Sequence, residues 1–269
     1  MDLARVETYR GAHDREDLRL RPGERLLAGG TWLFSEPQPE VTGLVDLTTM
    51  RWEPWEALPG GGLRLAATCT VEQVRSAPWP SSALAEQCAD ALLMPFTVQS
   101  AATVGGNLCL GLPAGAMIAL TAALAGEVVL LTPDGGQRHA AVTDFVQGAG
   151  AVDLRPGEVL RCVELPGPAL RQANAVRRAA LTTYGRSAAL VIGRRSAESV
   201  VLTVTASVPR PVVLAVAATA TGTAVRRAVA DACGSVGWFA DLHGATDWRA
   251  AQTVRLAAEV HAELTEGAA

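Results

Sequence analysis

Two segments with paired glycines, Leu27-Ala28-Gly29-Gly30-Thr31 and Thr103-Val104-Gly105-Gly106-Asn107, set what this chain can fold into. Each has an apolar, strand-like lead-in and a polar residue directly after. Adjacent glycines let a backbone turn sharply and bring its amides close to a ligand with no Cβ in the way, the property a phosphate-binding loop needs. One such segment is an ordinary strand-to-helix turn. Two of them, similarly flanked, read as the halves of one anion cradle.

The chain has 269 residues, 49% hydrophobic and 19% charged, enough to bury a full core in one large or two to three small domains. Its net charge of -4, with arginines scattered rather than clustered, offers no basic footprint and argues against nucleic-acid binding. The longest apolar stretch, Ala114 to Leu131, is interrupted by Gly115, Gly126 and Glu127, and Met1-Asp2-Leu3-Ala4-Arg5 carries no basic region feeding an apolar one. The expectation is a cytoplasmic protein with no transmembrane segment. Every basic side chain other than histidine is arginine, which removes Schiff-base chemistry and a P-loop lysine.

Cys69, Cys88, Cys109, Cys162 and Cys233 are spread singly, without a C-x-x-C pair, so the spacing offers no iron–sulfur or zinc site and no disulfide framework. They read as reduced thiols, with Cys109 a small buried hydrophobe despite its place beside the second glycine pair. His13, His139, His243 and His261 are equally dispersed and read as surface or capping residues. Trp52, Trp55 and Trp79 sit in or near a Pro/Gly-rich loop and read as covering an interface.

The pattern divides the chain in three. Up to about Met50, a short strand, a helix around His13 to Leu20, the strand Arg25 to Ala28 and a buried strand Gly43 to Leu47 make a small β-α-β unit. Next come a strand Leu63 to Ala67, a helix from Val71 capped by Thr70 with Gln73 in the capping-box position, a helix Ser82 to Leu92, and a helix Met117 to Leu124. A hairpin from Glu127 through Pro133-Asp134-Gly135-Gly136 and a strand Val159 to Leu165 follow, ending at Pro166-Gly167-Pro168, which reads as a linker. Beyond it, Val176 to Ala180, Ser187 to Ile192 and Ser199 to Ala206 are strand or helix candidates. Pro209-Arg210-Pro211 breaks the pattern, and helices Ala224 to Cys233 and Ala250 to Leu264 follow.

At this point the residues resemble a known family. The first glycine segment followed by Leu44-Val45-Asp46-Leu47, then Ala102-Thr103-Val104-Gly105-Gly106-Asn107-Leu108-Cys109 with Pro113 beyond, is similar to the FAD-binding medium subunit of molybdenum hydroxylases, the xanthine dehydrogenase and carbon monoxide dehydrogenase group. The resemblance continues through Asp144-Phe145 and Arg155-Pro156-Gly157-Glu158-Val159-Leu160. It returns at Asp241-Leu242-His243-Gly244-Ala245-Thr246-Asp247-Trp248-Arg249, near the family's D-x-H-G-S-A-x-Y-R segment. It implies an α+β protein: a two-subdomain PCMH-type FAD-binding domain over 1–168, with subdomains of about 1–50 and 51–168, and a small α+β C-terminal domain over 169–269.

The resemblance places Leu27, Ala28, Gly29, Gly30, Thr31 and Trp32 on one side of the FAD diphosphate, and Ala102, Thr103, Gly105, Gly106 and Asn107 on the other. It puts Leu160 near the flavin ring and Arg177 where a basic residue often stands. None of these does acid–base chemistry, since the cofactor carries the electrons. The implied partners are a small [2Fe-2S] subunit and a large molybdopterin subunit, in a heterotrimer, with NAD, a quinone or oxygen as acceptor. Three departures stand out: no carboxylate follows Pro113, where Ala114-Gly115-Ala116 replaces the family's P-x-x-D; Gln99 and Ala101 replace two arginines; and Trp32 replaces a small or acidic residue. They motivate an alternative, a scaffold subunit that has lost tight FAD binding. A free-standing flavin oxidase is disfavoured, because the last hundred residues are poor in aromatic and paired titratable groups.

Overall fold

The computed structural model describes residues 3, 5–77, 79–80 and 82–266; Met1, Asp2 and Ala4, read above for a leader, lie outside them. Three short strands, β1 (Thr8–Gly11), β2 (Glu24–Leu27) and β3 (Gly43–Asp46), pair in parallel in the order β1-β3-β2. β3 is central and buried throughout, which accords with apolar Leu44 and Val45 on successive positions. The helix expected over His13 to Leu20 is a correction: only one 3-10 turn forms, Glu16–Leu18. Asp14 accepts from the Glu16 amide at 2.8 Å and from the Asp17 amide at 3.2 Å, so a local side-chain turn takes the Asp17 amide that a helix would bond to the His13 carbonyl.

The second sheet is antiparallel, with strands β4 (Trp55–Leu58), β5 (Gly62–Ala66), β6 (Glu127–Leu131), β7 (Gln137–Ala141) and, after two short intervening strands, β10 (Val159–Leu165), in the order β4-β5-β10-β6-β7. Between β5 and β6 run α1 (Val71–Ser76), α2 (Ser82–Ala91), α3 (Phe96–Gln99), α4 (Val104–Leu110) and α5 (Ala116–Ala123). The Thr70 capping box forms as its spacing predicts, with Gln73 reaching back to the Thr70 amide at 2.9 Å. Between β7 and β10 lie α6 (Val142–Phe145), β8 (Val146–Gly148) and β9 (Ala151–Val152).

A third sheet is the antiparallel meander β11 (Asn174–Ala179), β12 (Ala189–Arg195), β13 (Ser199–Thr205) and β14 (Val212–Ala217). The three open candidates are thus all strands. β14 went unread behind Pro209 and Pro211, although its Val-Val-Leu-Ala-Val run has strand composition. The helices α8 (Gly222–Val236) and α9 (Thr246–Glu266) cover the outer face of this meander. The Pro166-Gly167-Pro168 cluster is a packed joint and not a free linker: α7 (Gly167–Leu170) begins there, and a Cβ on Gly167 would overlap the Gly60 carbonyl.

α5 explains how the sheets stack. All eight of its residues are buried, and an apolar helix without a polar face belongs between two layers. The main core fills the space between the five-stranded sheet and α1, α2, α4 and α5, and it continues onto Leu190, Ile192 and Ala206 of the meander. Trp79 belongs to this core, 8% exposed, its Nε1 donating to the Val74 carbonyl at 2.6 Å, which corrects its reading as an interface residue. The segment before α9 is tied down by Arg249, the largest fully buried side chain. It donates to the carbonyls of Gly244, Ala188 and Ala206 and pairs with Asp241.

Candidate functional site

Folding brings the two glycine segments into contact. A Cβ on Gly29 would run into the Ala101 carbonyl oxygen and come within 3.2 Å of the Ala102 Cα, so only glycine lets the loop after β2 rest on the chain entering α4. On the other side, a Cβ on Gly105 would lie 2.6 Å from the Ala67 Cβ and 2.7 Å from its oxygen, so this glycine lets α4 press against the end of β5. Both glycines serve close packing. Their neighbours Gly30 and Gly106 do something else.

Gly30 takes φ of 69°, the left-handed region, and starts one helical turn in which the Phe34 amide donates to its carbonyl at 2.8 Å. Among the described residues the amides of Gly29, Gly30, Thr31 and Trp32 donate to no protein acceptor. Four successive free amides opening a turn form a concave, positive backbone surface suited to an anion. The site lies at the end of the parallel strand β2, and Trp32 and Phe34 stand half-exposed beside it.

The second segment is not a turn but the first turn of α4, with Thr103 as N-cap. Its amides are engaged: Val104 donates to the Cys69 carbonyl at 2.8 Å, Gly105 to Ala67 at 2.8 Å, Gly106 to the Thr103 hydroxyl at 3.1 Å and Asn107 to the Thr103 carbonyl at 3.0 Å. Its remaining donors are the amide and hydroxyl of Thr103, a residue only 4% exposed, and the half-buried Asn107 Nδ2, none of which has an acceptor among the described residues. A Cβ on Gly106 would meet only the Thr103 hydroxyl, at 3.0 Å, so the face above this residue is open. Asn107 also works within the fold, since its Oδ1 accepts from the Met117 amide at 3.1 Å and joins α4 to the start of α5.

The remaining expected residues lie elsewhere. Leu160, 3% exposed, packs in the main core on β10, the strand that α4 crosses. Arg177 on β11 is committed to Glu263 of α9 at 2.5 Å, on the opposite side of its strand from Val176, which packs on the main core. Leu27 ends β2, Ala28 packs on the small cluster around Val45, and Ala102 is buried with its carbonyl bonded to the Val71 amide. Ala116 is buried at the first turn of α5, and Gln99 turns inward to the Met94 carbonyl. Burial pushes the Cys109 thiol up to about 12, in line with a packing role.

Residues 6–168 match the family of FAD binding domains in molybdopterin dehydrogenases. The chain belongs to this family. FAD is therefore the ligand to fit, and the chemistry present suits an anionic group: an open face above Gly106, four free amides and the unpaired Thr103 and Asn107 donors. The fold is shared over 95–98% of the chain with chains of oxidoreductases of known structure. A chain of quinoline 2-oxidoreductase from Pseudomonas putida 86 matches with a TM-score of 0.81 at 22% identity, over 97% of both chains. A chain of carbon monoxide dehydrogenase from Hydrogenophaga pseudoflava, in a form lacking the Mo-pyranopterin moiety, gives 0.80 at 23% identity over 95% of this chain and 96% of that one. A chain of reconstituted CO dehydrogenase from Oligotropha carboxidovorans gives 0.79 at 20% identity over 98% of each. No curated protein matches the sequence.

The sequence missed the division of labour inside the family's paired motif. Which amides are free depends on partners such as Cys69 and Ala67, more than thirty residues away. Arg249 was readable only as the last residue of the Asp241 to Arg249 segment. No helix among the described residues is long and apolar enough to cross a membrane.

Proposed function

We propose that this chain is the FAD-carrying subunit of a cytoplasmic molybdopterin-dependent hydroxylase or dehydrogenase. In this role it receives electrons from iron–sulfur clusters on a small partner subunit, reduced in turn by a large molybdopterin subunit, and passes them to NAD, a quinone or oxygen. The observation that carries the reading is the row of free amides from Gly29 to Trp32 resting against the entry to α4. When bound, FAD supplies the step between one- and two-electron chemistry. The chain's own residues bind and orient. The Gly29 to Trp32 amides would hold the diphosphate oxygens, and the Thr103 hydroxyl and amide and the Asn107 Nδ2 would add donors from the α4 side. None of these binding groups is an acid or a base, so the site's task is to hold and orient the cofactor that carries the electrons. The absence of a paired-cysteine motif in the sequence agrees with clusters borne on another chain.

A second reading, a scaffold subunit without tightly held FAD, draws on the engaged α4 amides and on the buried Ala116 where relatives place a carboxylate. Purification of the chain with its co-expressed neighbours separates the two. A yellow complex with one FAD per chain, plus iron and molybdenum in fixed ratio, is the expected result. A colourless chain that takes up no FAD on titration supports the scaffold, and a flavin-loaded chain that turns over substrate without iron or molybdenum overturns both.

A further inference from the structure

The outer face of the five-stranded sheet carries a cavity of about 320 Å³ that the cofactor reading does not use. It lies on the side of β10 away from Leu160, which faces the main core. Its walls hold three arginines, Arg15, Arg64 and Arg161, with Glu164, Gln137 and His139. Arg64 is saturated, gripping Glu164 at 2.6 Å and Glu56 at 3.2 Å. Arg15 donates to the carbonyls of Thr132 and Gly136 and pairs with no carboxylate among the described residues.

Arg161 differs from both. The pairing of β10 with β6 shifts between Leu160 and Cys162, so Arg161 is the extra residue of a β-bulge, a device that re-aims a side chain. Its guanidinium stacks over Trp52 at 4.4 Å from the ring centre. Its Nη1 is buried with no hydrogen-bond partner, and its nearest carboxylate, Glu56, is 3.7 Å from Nη2, beyond hydrogen-bond range. A buried guanidinium nitrogen without an acceptor is costly, and burial pulls the Arg161 pKa down. An acceptor is missing here.

We propose that this cavity binds a small organic anion carrying one carboxylate or phosphate group, held by Arg161. The unpaired donor sets the class: Arg64 is held by Glu164 and Glu56, Arg15 is bonded to two carbonyls with Asp134 near it, and His139 pairs with Glu127, whereas Arg161 keeps an Nη1 without an acceptor, so one anionic group is matched and a polyanion is repelled by Glu164. Val129 and Leu131 line the floor, which suits an apolar body behind the charged head and disfavours a bare ion.

The test uses the full chain with benzoate and phenyl phosphate as probes and benzyl alcohol as the neutral control, read by calorimetry, with flavin absorbance recorded on the same samples. The expected result is saturable binding of either anion at one per chain and none of the alcohol. Arg161→Met, which keeps the packing on Trp52, weakens anion binding at least tenfold with flavin content unchanged. Glu164→Gln strengthens binding of phenyl phosphate, the more highly charged probe. Absence of saturable binding, equal binding of benzyl alcohol, or unaltered affinity in Arg161→Met overturns the proposal. Because flavin content is read separately, failure here leaves the cofactor assignment standing.

Discussion

Replacing Gly106 with alanine pulls stability and cofactor affinity in opposite directions. Gly106 sits in the first turn of α4, outside the left-handed region, so a methyl group there is conformationally favourable. Gly→Ala inside a helix stabilises by about 0.5–1 kcal/mol. The new Cβ meets only the Thr103 hydroxyl, at 3.0 Å, a contact relieved by a shift of a few tenths of an ångström that gives back part of the gain. A net gain of about 0.5 kcal/mol raises the apo-protein's Tm by roughly 1–2 °C. The same methyl projects into the open face above the helix, the side on which we propose that FAD binds. Displacing the diphosphate far enough to lose one charge-assisted hydrogen bond costs about 1.5–3 kcal/mol, or roughly 10- to 150-fold in Kd. Thermal melts of apo-protein and a fluorescence titration with FAD measure both quantities. Unchanged FAD affinity beside a raised Tm refutes Gly106 as the approach face, and a sharp fall in apo Tm refutes the α4 geometry itself.

Three further outcomes follow from the same contacts. Asn107→Asp keeps an oxygen for the Met117 amide and adds a negative charge near the start of α5, so apo stability holds, whereas the lost Nδ2 donor and the repelled diphosphate weaken FAD binding at least tenfold in the same titration. Arg249→Met removes the donor for Gly244, Ala188 and Ala206 and leaves Asp241 unpaired, costing about 3–5 kcal/mol in urea unfolding; a loss below about 1 kcal/mol contradicts the network. Arg10 grips Glu24 through two hydrogen bonds of 2.8 and 2.9 Å and holds its carboxyl down at about 2. The folded value lies below the unfolded one, so this contribution is complete above about pH 4.5 and fades as pH falls toward 2. After solvent screening it amounts to about 2 kcal/mol, and Glu24→Gln flattens the stability curve across that window.

Much of the local structure was legible because local chemistry decides it. The Thr70 and Gln73 capping box, the turn between β6 and β7 and the strand Val159 to Leu165 each rest on neighbours a few residues apart, and they form as read. The helix over His13 to Leu20 shrinks to one turn because the Asp14 carboxylate claims the Asp17 amide at short range. β14 was hidden by the prolines before it, although proline restricts only its own position and the one preceding it.

By itself the sequence determined the family, through two glycine pairs at the right places, and with the family the cofactor. Only the tertiary structure decided how the pairs divide their work. Gly29 and Gly105 serve close packing against Ala101 and Ala67, Gly106 leaves an open face, and the row of four free amides belongs to the first segment, the second keeping only that of Thr103. The physical reason is that a backbone amide has one proton to give. Whether it goes to a ligand or to a distant carbonyl is settled by which segments meet, and no spacing along the chain records that.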